Sequence, residues 1–150
     1  MITVEFAAKA PGVTAAAVKK AVRAALDAEG KDLELGVVVV DDAAIRRVNR
    51  EFLAHDFETD VIAFDLRGGG PGQDGEIYVS VDTAAREGAD RGHGLRRELL
   101  LYCIHGTLHL LGYDDKRPAA RRRMHARQEE LLESVCPTPP EHGRKKRNGR

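Results

Sequence analysis

His105 and His109, four residues apart, and Asp115 beyond them are the residues of this chain best spaced to do chemistry. On a helix a four-residue step rises about 6 Å and nearly completes a turn, so both imidazoles can aim one ring nitrogen at a common point. Gly112 supplies the left-handed conformation that ends a helix, and the chain can then fold back to bring in a carboxylate. Spacing from Gly112 favours Asp115 over its neighbour Asp114 for that role. Imidazole nitrogen and carboxylate oxygen are good zinc ligands, and three protein ligands leave a fourth position open. Water at such a position ionises near neutral pH and becomes a nucleophile. The expectation is one Zn2+ ion, with other divalent metals as alternatives, held by His105, His109 and Asp115.

The surroundings of the pair support a built site. Leu99, Leu100, Leu101 and Ile104 precede it, and Leu108, Leu110 and Leu111 interleave with it and follow. A helix this apolar is buried on most sides, and imidazole is not buried without a partner at low cost. Cys103 points away from His105 on that helix and reads as a small core residue.

The remaining chain must position this helix. At 150 residues, 42% hydrophobic and 32% charged, it is the size and balance of one soluble domain with a real core. No apolar run reaches the length of a membrane span, and Met1–Phe6 lacks the pattern of a secretory signal. Two cysteines, Cys103 and Cys136, make no disulfide framework, and a cytoplasmic location follows as the expectation. Residues 2–7 alternate as a strand. Thr14 caps a helix to about Ala28 with the stripe Val18, Ala21, Val22, Ala25 and Leu26. Leu33–Val40 reads as a buried strand, and Asp42 is expected to cap a helix bearing Ile45, Val48, Phe52 and Leu53. Val61–Phe64 and Gly75–Asp82 are two further strands around a glycine-rich loop. A short helix follows from Asp82 or Thr83 to near Gly88, then a long one over Leu95–Leu111, and Pro118 opens the last, to about Val135. This order predicts an α+β fold: a mixed four-stranded sheet with helices packed on it and the metal site on the central helix. Residues 1–136 read as one domain, and 137–150 as a disordered basic tail ending Arg144-Lys145-Lys146-Arg147-Asn148-Gly149-Arg150.

Net charge is zero, yet basic residues cluster after the metal motif, where Lys116, Arg117 and Arg121 are the candidate contacts to a phosphate backbone. His93 and His142 are given no role, and His125 reads as a surface residue.

Several stretches together resemble the YbeY family, bacterial rRNA maturation factors described as metal-dependent endoribonucleases. They are Asn49-x-x-Phe52, Thr59-Asp60-Val61-Ile62-Ala63-Phe64, Gly75-Glu76-Ile77-x-Val79-Ser80 and Glu98-x-x-x-Tyr102-x-x-His105-Gly106-x-Leu108-His109-Leu110-x-Gly112-Tyr113-Asp114. Met124–Leu132 is similar to the family's last helix. The resemblance implies zinc ligation by His105, His109 and Asp115, and cleavage of small-subunit ribosomal RNA near its 3′ end during ribosome maturation and quality control. Two positions depart from the family. Most members carry a third histidine where Asp115 stands, and aspartate adds a negative charge that favours harder ions such as Mn2+. Many members carry an arginine directly after the Asn-x-x-Phe motif, where this chain has Leu53. No general base stands out; His55 and Asp60 are candidates by polarity and loop position.

Two other readings use the same residues. The spacing His-x-x-x-His-x-x-Gly-x-x-Asp is that of metzincin-like peptidases, but Gly106 stands where those enzymes carry their glutamate base. A non-catalytic RNA-binding assembly factor with a structural metal needs a fourth protein ligand, for which Asp114 and His125 are the available residues.

Overall fold

A computed structural model describes residues 1–55, 57 and 59–138. The expected basic tail therefore lies, from residue 139 on, outside the described residues. The elements run β1 (Ile2–Phe6), α1 (Ala15–Ala28), β2 (Leu35–Val40), α2 (Asp42–Leu53), β3 (Val61–Asp65), β4 (Gly75–Ser80), α3 (Val81–Arg91), α4 (Gly94–Leu110) and α5 (Pro118–Val135). The sheet order is β1-β2-β4-β3. β1 and β4 both pair parallel with β2, in the registers Val4 with Val37 and Val37 with Ile77, while β3 lies antiparallel on β4 with Ala63 opposite Ile77. Among the described residues the fold is the expected α+β arrangement, a mixed four-stranded sheet with five helices packed on it.

The strands separate the core into two clusters because their side chains alternate. Leu35, Val37, Val39, Ile77 and Val79 face α1, α4 and α5 in the main core. Val40 and Ile62 face α2 with Ile45 in a smaller cluster. The α1 stripe is buried at every expected position, and Thr14 Oγ1 accepts from Ala17 N at 3.1 Å as its cap. Helix α4 is buried on nearly all sides, from Glu98 to Leu108, because α1, α3, α5 and the sheet surround it.

Four local expectations need correction. Asp41, not Asp42, caps α2, its Oδ1 accepting from Ala44 N at 2.8 Å. Asp42 instead ties α2 to α3: its Oδ1 accepts from Ser80 Oγ and Thr83 Oγ1 at 2.6 and 2.8 Å, and its Oδ2 from Arg86 at 2.8 Å. Strand β4 stops at Ser80, which caps α3, so Val81 is helical. Helix α3 does not end at Gly88 but runs to Arg91, since Gly88 is buried at a contact where any Cβ would collide with the Gly94 carbonyl. Phe52 and Leu53 are not core residues; they are 67% and 43% exposed, Phe52 meeting the Phe64 ring of β3 edge-on at 5.7 Å and Leu53 lining an open cleft.

His93 also has a place. Glu98 is fully buried on α4, and its carboxylate is met by Arg91 Nη1 and, at 2.5 Å, by His93 Nε2. A buried carboxylate needs such partners, which lock the α3–α4 corner.

Candidate metal centre and the cleft beside it

Helix α4 ends in the manner its sequence dictates. Tyr113 N donates back to Leu108 O and Gly112 N to His109 O, both at 3.0 Å, and Gly112 takes φ +100°. The chain reverses there, and Asp115 returns to the face that carries the histidines. Asp115 Oδ2 lies 3.6 Å from His105 Nε2 and 3.3 Å from His109 Nε2. One donor atom from each of the three residues falls within 4.8 Å of the others, and this is the group among the described residues able to hold a cation so. Neither alternative fourth ligand joins it. Asp114 Oδ1 accepts from Lys116 N at 2.9 Å and shapes the turn, and His125 is exposed on α5.

The donor chemistry fits a divalent ion. A tetrahedral centre with bonds of about 2.0–2.1 Å places neighbouring ligand atoms about 3.4 Å apart, the spacing seen around Asp115. His105 is prepared for ligation from behind: its Nδ1 donates to Gln128 Oε1 at 2.9 Å, which leaves the Nε2 lone pair facing Asp115 and His109. Burial pushes the His105 pKa down, so the ring stays neutral and available as a ligand. Two imidazole lone pairs and a carboxylate crowded together are stabilised by a shared cation.

Gln128 is the residue that motif reading missed. It is buried on α5, in line with Met124, Leu131 and Leu132. A polar side chain at a position of an apolar stripe signals a buried partner, and that signal is present in the sequence.

The centre borders a cleft of about 730 Å³ lined by His109, Leu110, Gly112 and Lys116 on one side and by Asn49, Leu53, His55, Phe57 and β3 on the other. Asn49 is buried and builds the far wall: its Nδ2 donates to Phe57 O at 3.1 Å and its backbone carbonyl accepts from His55 N at 3.2 Å. Of the candidate general bases, His55 lines the cleft, whereas Asp60 Oδ1 accepts from Val61 N at 2.7 Å and pins the start of β3. Of the basic candidates, Lys116 lines the cleft and Arg117 is exposed at the α5 N-terminus. Arg121 Nε donates to Asp115 O at 3.0 Å and braces the returning turn. Arg67, at the end of β3, also lines the cleft; it clasps Asp65 at 2.9 and 2.8 Å and holds that carboxyl down at about 2.

Gly106 settles the peptidase reading against itself. A Cβ there would lie 2.8 Å from Ile77 Cγ2 and 3.3 Å from Val61 Cγ2, so α4 rests on the sheet through this glycine. A glutamate base at that position would have to displace Ile77.

Residues 4–136 match the family profile described as Endoribonuclease YbeY. The chain belongs to that family. Among its curated members, the Endoribonuclease YbeY of Salinibacter ruber is 41% identical over 123 residues, covering 76% of this chain and 78% of the relative. That of Moorella thermoacetica is 40% identical over 129 residues, covering 77% and 83%. The solution structure of a Thermotoga maritima protein superposes with a TM-score of 0.67 at 27% identity, covering 99% of this chain and 93% of that one. The matched range includes the α4 histidines, the Gly112 turn, and the Asn49 and β3 walls of the cleft.

Proposed function

We propose that this YbeY family member is a metal-dependent endoribonuclease that matures ribosomal RNA, with small-subunit rRNA near its 3′ end as substrate. The observation that carries the reading is the convergence of His105, His109 and Asp115 on one point at the edge of an open cleft. Three ligands without a fourth among the described residues is the pattern of a catalytic rather than a structural metal. The name of the curated relatives supports cleavage of RNA. Zn2+ is the ion assigned here, because two imidazoles and one carboxylate suit it, and the protein is assigned to the cytoplasm because the proposed ribosomal RNA substrate is there; among the described residues no helix is long and apolar enough to cross a membrane.

A divalent ion bound by the three ligands supplies Lewis acidity toward a phosphoryl oxygen. The chain's own residues do the rest. Gln128 fixes the His105 tautomer, and Arg121 holds the backbone of the turn that presents Asp115. Lys116 faces the cleft, and Arg117 and Arg121 continue a basic edge along the start of α5, which holds the flanking phosphates. His55 stands on the opposite wall as the side chain that exchanges a proton with the reacting oxygen.

The test is His109→Ala, followed by elemental analysis and cleavage of a ribosomal RNA fragment. Loss of bound metal and of cleavage together is expected. Undiminished cleavage by metal-free His109→Ala protein overturns the proposal.

A further inference from the structure

Among the described residues, helix α2 lends the cleft Asn49 and Leu53, neither of which is a cation. Yet a phosphodiester in the cleft needs donors beyond Lys116. Arg67 is the arginine that lines the cleft among the described residues, and its guanidinium is fixed rather than loose. Nε and Nη2 fork onto the two oxygens of Asp65 at 2.9 and 2.8 Å, and Nη2 also donates to Leu110 O at 2.7 Å. That carbonyl belongs to the residue next to His109, so the arginine is tied directly to the helix end that bears the candidate ligands. These bonds use Nε and Nη2. Nη1, with two N–H donors, has no partner among the described residues.

Arg67 also stands between two clefts. A second one, of about 520 Å³, runs under the glycine-rich loop from Gly68 to Pro71 and shares Asp65 and Arg67 with the first. A strand leaving the metal cleft in that direction must pass the guanidinium. Backbone without side chains along the loop leaves room for a sugar–phosphate chain.

We propose that Arg67 binds the RNA phosphate adjacent to the scissile one, as the strand passes from the metal cleft to the glycine-rich loop. This rests on the reading of the cleft as an RNA site. The Asp65 carboxylate offsets part of the arginine's charge, so its contribution is directional: two N–H donors at a fixed place, preorganised by the Asp65 fork. The role is separate from that of the basic edge at the start of α5, which belongs to a different element.

The experiment measures binding of a short single-stranded RNA oligonucleotide by fluorescence anisotropy in a His109→Ala background, where turnover is blocked, and kcat and KM in the otherwise unmutated protein with Zn2+ or Mn2+. Arg67→Gln is expected to raise Kd about tenfold, the effect of losing a hydrogen-bonded charge on a phosphate. Arg67→Lys, which keeps the charge but not the fork, recovers part of the binding and leaves kcat/KM low. Arg23→Gln, on α1 away from the cleft, changes neither. Binding by Arg67→Gln or Arg67→Lys indistinguishable from the parent overturns the role of Arg67 while leaving the endoribonuclease reading intact. If the unmutated protein neither binds nor cleaves the RNA, both readings fall together. Should Arg67→Gln fail to fold, Arg67→Lys decides alone.

Discussion

The hydrogen bond from His105 to Gln128 makes a quantitative demand on metal binding. Replacing Gln128 with Leu keeps the residue inside the apolar stripe of α5 but removes the acceptor 2.9 Å from His105 Nδ1. His105 then loses what selects its tautomer, and the proton can settle on the nitrogen that faces the metal. Losses of this kind weaken metal affinity about 10- to 100-fold. That corresponds to about 1.4–2.7 kcal/mol of binding free energy. Stability without metal changes less: one half-buried N–H loses its partner, at about 1 kcal/mol, while the leucine gains apolar contact against Met124, Leu131 and Leu132. Gln128→Glu provides the opposite control, since a carboxylate accepts the same Nδ1 proton more strongly and retains affinity. Competition titration of Zn2+ against a chromophoric chelator measures both variants, with thermal melting of the metal-free proteins alongside. A Gln128→Leu protein that binds Zn2+ as tightly as the parent refutes the claim that this bond prepares the ligand.

Three other perturbations have defined outcomes. Gly106→Ala places a methyl 2.8 Å from Ile77 Cγ2, and Ile77 sits buried in β4 where it cannot swing aside; overpacking of about 1–3 kcal/mol outweighs the gain of about 1 kcal/mol in helix propensity, and chemical denaturation should show a less stable protein. Asp42 is partly desolvated, which alone would raise its pKa, but hydrogen bonds from Ser80, Thr83 and Arg86 hold it below the usual carboxylate range. Its contribution to stability is therefore complete above pH 3.8, the unperturbed value, and is lost as pH falls through the lowered folded-state pKa; Asp42→Asn should lower the melting temperature at neutral pH and flatten its decline in acid. Asp115→His exchanges an anionic ligand for a neutral one at the same point, and the ratio of Zn2+ to Mn2+ affinity should rise, as read by competition between the two ions.

The helical and strand periods of α1, β2 and α5 are local properties, and their spans were readable to within a residue or two. So were the three converging donors, because an i, i+4 pair and a glycine turn are geometry within the one short stretch from His105 to Asp115. The ends of α2 and α3 were not. Whether Phe52 is buried depends on how far the sheet extends beneath it, and whether Gly88 stops a helix depends on what packs against it.

The candidate metal site is thus legible from residues close in the chain, since short-range spacing sets where their side chains go. What surrounds it cannot. Gln128 reaches His105 across 23 positions and Arg67 reaches Leu110 across 43. Those meetings exist because β3 pairs on the outside of β4 and α5 lies against α4, and pairing order and helix packing are set by which apolar faces can be covered at once in three dimensions.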